Sequence, residues 1–137
     1  MSIEMELPLE EIDRVASYLV ENLASHTLLF LIGDLASGKT TLTQAIAQKR
    51  GVTSAVTSPT FSLQQIYGTD LFHYDLYRIS SDEFFSLGLH EELDREGWHL
   101  IEWGDPALKR FLSNVGYNVV SISITPTNKG RNYSIEV

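Results

Sequence analysis

Apolar residues fall into two rhythms along the chain. Ile12, Val15, Ala16, Leu19 and Leu23 recur at helical spacing and predict a helix over 8–24, with Pro8 in its first turn and Glu10, Glu11 and Asp13 at its positive end. Leu42, Ala45 and Ile46 predict a second helix, opening near Lys39 and stopped by Gly51. Ser80-Ser81-Asp82-Glu83 is a capping box, so a short helix carrying Phe84, Phe85 and Leu87 is expected, ended near Gly88. Glu91, Glu92, Asp94 and Glu96 then read as a solvated acidic helical face closed by Gly97. Asp105 caps a last helix through Leu112, with Pro106 at its first position.

The other rhythm is that of strands. Leu28 to Ile32 is a short, wholly apolar run, as a strand buried on both faces would be. Phe61 to Tyr67 and Leu71 to Tyr77 flank a Gly68-Thr69-Asp70 turn and predict a hairpin. Trp98 to Trp103 is a further strand. Val120, Ile122 and Ile124 alternate with Ser121, Ser123 and Thr125, and Tyr133, Ile135 and Val137 alternate with polar residues. The two predict a closing hairpin across residues 126–131. Strands interleaved with helices predict an α/β domain of three layers: a central, mostly parallel sheet with antiparallel hairpins, and helices on both faces. At 137 residues, with no internal repeat or linker, the chain is expected to be a single domain over 1–137.

Composition narrows this only a little. There is no cysteine, which excludes disulfides and thiolate metal sites. No apolar run approaches the roughly 20 residues of a membrane span, and the opening Met-Ser-Ile-Glu-Met-Glu is acidic where a signal peptide is basic. A cytoplasmic protein with no membrane contact is expected. The net charge of −8 disfavours direct binding of nucleic acid, which draws on clustered Lys and Arg.

The candidate chemistry sits between the buried strand and the second helix. Gly33-Asp34-Leu35-Ala36-Ser37-Gly38-Lys39-Thr40-Thr41 has the G-x-x-x-x-G-K-[ST] spacing of a phosphate loop. Gly33 and Gly38 allow backbone angles that turn successive N–H groups inward, and the helix adds its positive end. Lys39 is placed to reach the β- and γ-phosphates and Thr40 to offer its hydroxyl to Mg²⁺. The fold expectation thereby becomes a P-loop NTPase-like domain. Two carboxylates close predicted strands: Asp75 after Leu71-Phe72-His73-Tyr74, and Glu102 after Leu100-Ile101. Strand ends gather at the sheet edge where a phosphate loop also lies, so both are candidates for a metal or attacking water. The alternatives are an Asp75–Arg78 ion pair and a structural Glu102. His73 reads as a packed or exposed histidine. Thr53, Ser54, Thr57, Ser58 and Thr60 form a hydroxyl-rich segment after the loop helix, either a γ-phosphate sensor or a solvated loop.

Four stretches together resemble the TsaE (YjeE-like) family, the small ATPases of bacterial tRNA threonylcarbamoyladenosine biosynthesis. They are Gly-Asp-Leu-Ala-Ser-Gly-Lys-Thr-Thr from Gly33, Ser-Pro-Thr-Phe from Ser58, His-Tyr-Asp-Leu-Tyr-Arg from His73 and Glu-Trp-Gly-Asp from Glu102. The family commonly has Gly-Ala-Gly-Lys where this chain has Ala36-Ser37-Gly38-Lys39. The resemblance implies ATP and Mg²⁺, with Thr40 and Glu102 metal-associated and Asp75 required for activity. It also implies a switch-like loop at Ser58 to Phe61 and a nucleotide contact at Arg131. Its partners would be TsaD and TsaB, with ATP hydrolysis supporting repeated modification of adenosine 37 in ANN-decoding tRNAs, and tRNA reached only through that complex.

Two rival classes share the phosphate loop. A small-molecule kinase needs an arginine-bearing lid, but Arg78, Arg95, Arg110 and Arg131 do not cluster in the sequence. A GTP-dependent switch would read guanine through Asn-Lys-x-Asp. Asn128-Lys129-Gly130-Arg131 puts an arginine where that aspartate belongs.

Overall fold

The computed structural model describes residues 2–34, 38–52 and 63–137. Seven strands form one sheet: β1 (Ser2–Leu7), β2 (Thr27–Ile32), β3 (Gln64–Tyr67), β4 (Leu71–Asp75), β5 (Trp98–Glu102), β6 (Val119–Thr127) and β7 (Gly130–Glu136). Their spatial order is β1-β7-β6-β2-β5-β4-β3. The central four, β6, β2, β5 and β4, run parallel. The antiparallel pairs lie at the margins, β3 on β4 at one side and β7 on β6 with β1 on β7 at the other.

The wholly apolar run of β2 is explained by its position, because successive side chains enter opposite layers. Leu29 and Leu31 pack with Leu100 and Ile122 against Val15, Ala16 and Leu19 of α1 (Asp13–Asn22) and Leu42 and Ile46 of α2 (Lys39–Lys49). Leu28 and Phe30 pack with Phe72, Tyr74 and Ile101 against Phe84 of α3 (Ser81–Ser86) and Leu108 and Leu112 of α5 (Pro106–Asn114). The capping box at Ser80 forms as predicted, and the Asp105 carboxylate accepts the Leu108 N–H at 2.7 Å.

Several boundaries differ from the sequence reading. The first helix opens as a 3-10 turn over Leu9–Glu11, where N–H groups bond three residues back instead of four. The strand expected to reach Tyr77 stops at Asp75, whose own carboxylate accepts the Tyr77 N–H at 3.0 Å and turns the chain. The acidic face is not one helix. α4 spans only Leu89–Glu92, and its neighbours anchor loops: Asp94 accepts the Tyr117 hydroxyl and Glu96 accepts that of Ser25. The closing hairpin is tighter than expected, with β6 running through Pro126 to Thr127. Pro126 is tolerated because β2 pairs with β6 only as far as Ser123, leaving its missing N–H on an open side. Strand β1 was not expected at all. Phe61 and Ser62, the start of the strand predicted over Phe61 to Tyr67, lie outside the described residues.

Candidate functional site

Parallel strands bring their carboxyl ends to one edge. β2 ends at Ile32, β4 at Asp75 and β5 at Glu102, with Asp75 opposite Glu102 and Leu31 opposite Glu102 in register. Alternation then decides the face. Leu71 on β4 and Trp98 and Leu100 on β5 face the α1–α2 layer, so His73, Asp75 and Glu102 face it too. Helix α2 begins at Lys39 on that same face and edge, with Gly38 as its left-handed cap at φ 102°. Lys39 and Asp75, 36 residues apart in sequence, thus share one site.

Lys39 is 4% exposed. Its Nζ donates to the carbonyls of Gly33 at 2.5 Å and Asp34 at 3.1 Å, and lies 4.0 Å from the centre of the Trp103 ring. Burial pulls the ammonium below the usual lysine value, while the charges of Glu102, Asp75 and Asp34, in that order, act against it. Trp103 has φ 63°, uncommon for a bulky side chain, and Tyr77 packs edge-on against it with ring centres 4.9 Å apart. Leu31, Ile32, Gly33, Asp34, Trp103 and Gly104 line a cleft of about 270 Å³ beside this ammonium.

Arg131 arrives from the other end of the chain. A Cβ at Gly38 would lie 2.5 Å from its Nη1, so the guanidinium rests directly against this glycine, and a side chain there would have to displace it at a φ that already favours glycine. That Nη1 is buried and has no hydrogen-bond partner among the described residues. A buried donor without an acceptor costs about 1–3 kcal/mol, and a phosphate oxygen on the loop would supply one. The two cations, Lys39 and Arg131, therefore border the start of α2 from different elements.

The carboxylates differ in surroundings. Glu102 is 4% exposed and accepts from the fully buried His73 Nε2 at 2.5 Å. Asp75 is half-buried, and among the described residues no ion pair joins it to Arg78. No group of three or more His, Asp or Glu among the described residues is placed to hold a metal by itself. Two carboxylates with the Thr40 hydroxyl instead suit Mg²⁺, which is usually bound by one or two carboxylates plus phosphate oxygens and water. The donor set fits an ion that arrives with a nucleotide.

The structure thus brings Gly33, Asp34, Gly38, Lys39, Thr40, Thr41, Asp75, Glu102 and Arg131 to one edge. Leu35, Ala36 and Ser37, and the segment holding Ser58 to Phe61, lie outside the described residues. Two residues at this edge were given no nucleotide or metal role from the sequence: His73, read as a packed or exposed histidine, and Trp103, named only within the Glu-Trp-Gly-Asp stretch and the region expected near a partner.

A family model described as "Threonylcarbamoyl adenosine biosynthesis protein TsaE" matches residues 8–133. The chain belongs to the TsaE family. The tRNA threonylcarbamoyladenosine biosynthesis protein TsaE of Treponema pallidum is 36% identical over 101 residues, 72% of this chain and 72% of that protein. The TsaE protein of Rickettsia felis is 38% identical over 101 residues, covering 70% of this chain and 58% of its own length. That of Bacillus subtilis is 43% identical over 79 residues, 56% of this chain and 49% of the relative. The chain thus spans a little over half of the Rickettsia felis protein and about half of the Bacillus subtilis one. The crystal structure of Bacillus subtilis YdiB superposes with a TM-score of 0.72 at 25% identity, over 98% of this chain and 84% of that one. The α/β fold and the family read from the four stretches both stand. Among the described residues, no helix is long and apolar enough to cross a membrane.

Proposed function

We propose that this TsaE chain binds ATP at residues 33–41, hydrolyses it with Mg²⁺, and thereby supports formation of N6-threonylcarbamoyladenosine at position 37 of tRNA in the cytoplasm. The observation that carries the reading is the pair of cations at the start of α2. Lys39 Nζ is held by two loop carbonyls, and the Arg131 guanidinium lies against Gly38 with a buried donor unpaired.

Each residue then has a task. The N–H groups at the start of α2 and the helix dipole hold phosphate oxygens. Lys39 exchanges its two carbonyls for β- and γ-phosphate oxygens, and Arg131 gains an acceptor for Nη1. Asp75 and Glu102, level with each other in adjacent strands, orient the attacking water. Its oxygen bonds to the γ-phosphorus as the bond to the β–γ bridging oxygen breaks. The bridging oxygen leaves with the electron pair on ADP, and the proton released by water ends on phosphate or solvent. Mg²⁺, held by Thr40, Glu102 and Asp75 with the phosphates, would neutralise charge on the phosphate oxygens.

Hydrolysis by the chain alone is expected to be slow. Arg14, Arg50 and Arg95 are paired with Glu11, Asp70 and Glu92, which leaves Arg131 at Gly38 and Arg78, three residues past Asp75, as the arginines near the site, and neither is held over a γ-phosphate by an ion pair among the described residues. An arginine finger supplied by a partner is worth about 10³–10⁵ in rate. The charge of −8 leaves tRNA to be bound by TsaD and TsaB, with the Glu102-Trp103 region and Ser58 to Phe61 near the contact. The test is reconstitution with TsaB, TsaD and an ANN-decoding tRNA, measuring the modified nucleoside. Formation beyond one equivalent per TsaB–TsaD complex should require both this chain and ATP. Full turnover in its absence would overturn the assignment.

A further inference from the structure

We propose that His73 is a positioning residue for Glu102, fixing the carboxylate that serves the metal or attacking water. This deepens the functional reading and rests on its placement of Glu102. On parallel strands β4 and β5, Asp75 lies opposite Glu102 and His73 opposite Leu100. His73 therefore meets Glu102 along a diagonal, a span that a long side chain bridges. Its Nε2 does so at 2.5 Å.

The burial explains what the bond contributes. His73 is fully buried and Glu102 is 4% exposed. A carboxylate so far from water needs a donor to remain in one place. Among the described residues, the ammonium of nearby Lys39 donates to the Gly33 and Asp34 carbonyls instead. The imidazole supplies the donor, although at a cost: its Nδ1 is buried and has no partner among the described residues. Its ring sits 6.4 Å from that of Tyr67, beside the apolar α1–α2 layer. A phenyl ring would fill that space without an orphaned nitrogen. What the imidazole adds is the Nε2–Glu102 bond. Glu102 is also the carboxylate whose charge acts most on Lys39, so its orientation bears on both halves of the site.

The variants His73→Gln, His73→Asn and His73→Leu separate positioning from packing. A glutamine amide reaches about where Nε2 stands, an asparagine amide stops short, and leucine only fills space. The readouts are ADP affinity by calorimetry with and without Mg²⁺, kcat and KM for ATP, and the melting temperature. ADP affinity without Mg²⁺ should stay within about twofold of wild type in all three. Asparagine and leucine should lose the gain in affinity that Mg²⁺ confers and lower kcat about 10- to 100-fold, the usual effect of losing an outer-shell partner. Glutamine should restore most of both. Glu102→Gln should match the asparagine variant, and the double variant should be no worse than Glu102→Gln alone. If the leucine variant fails to fold, the glutamine–asparagine contrast decides. If Glu102→Gln is impaired while His73→Asn is not, or if glutamine fails to rescue, His73 only packs and the proposal falls while the site stands. If Glu102→Gln itself leaves hydrolysis and the Mg²⁺ gain intact, the role given to Glu102 fails, and this proposal with it.

Discussion

Lys39 and Trp103 show how much one residue's setting depends on another. The Lys39 ammonium lies over the Trp103 ring, a contact worth about 2 kcal/mol or more when desolvated. If a nucleotide draws Nζ to its phosphates, the indole loses its cation. Binding of ADP should therefore change Trp103 emission, while Trp98, stacked with Arg50 at 4.6 Å, should report little. A fluorescence titration of the Trp103→Phe and Trp98→Phe variants checks this; a signal that survives in Trp103→Phe would contradict it. Lys39 was legible from the sequence because glycine spacing and the following helix are local features. Asp75 and Glu102 were legible because each follows an apolar run. The His73–Glu102 bond was not, since it joins residues 29 apart through a strand order that no local pattern encodes. The φ of Trp103 had no local signal either, and Arg131 entered through the family resemblance alone.

Among the elements, β1 is the instructive miss. Ile3, Met5 and Leu7 alternate with Ser2, Glu4 and Glu6, which is a strand pattern. Its two glutamates were weighed only against the basic charge of a signal peptide, and the alternation went unused. Its role is to flank β7, with Leu7 opposite Arg131. Gly130 makes that approach possible: at φ 140° it passes so close that a Cβ would lie 2.3 Å from the Leu7 carbonyl oxygen. Gly130→Ala should destabilise the fold by about 1–3 kcal/mol, through backbone strain and displacement of β1. It should also weaken ADP binding, because Arg131 is the next residue. Denaturant unfolding with an ADP titration measures both. Unchanged stability would show that β1 does not depend on the close approach.

For the whole molecule, the three-layer arrangement was foreseeable and the strand order was not, because apolar runs report burial but not neighbours. The layer opposite the phosphate site holds a buried polar chain in which Tyr74 hydroxyl donates to His99 Nδ1 at 2.7 Å and His99 Nε2 donates to the Arg95 carbonyl at 2.8 Å. Burial, the leading cause, pulls His99 down to about 4. The folded value lies below the unfolded one, so the unfolded chain binds the proton first. This contribution to stability is present above about pH 6.5 and is lost as pH falls towards 4. One proton limits the slope to about 1.4 kcal/mol per pH unit. Denaturant melts across that range should show a shallower slope in His99→Gln than in wild type, whatever its stability at neutral pH; an equal slope would remove His99 from the acid response. The central claim concerns the phosphate site and its dependence on partners. Steady-state ATP hydrolysis by wild type and Lys39→Ala, each alone and with TsaB and TsaD, tests it most directly. Slow hydrolysis by wild type, faster with both partners and abolished in Lys39→Ala under either condition, is the predicted result. Hydrolysis that survives Lys39→Ala, or that ignores the partners, would contradict it.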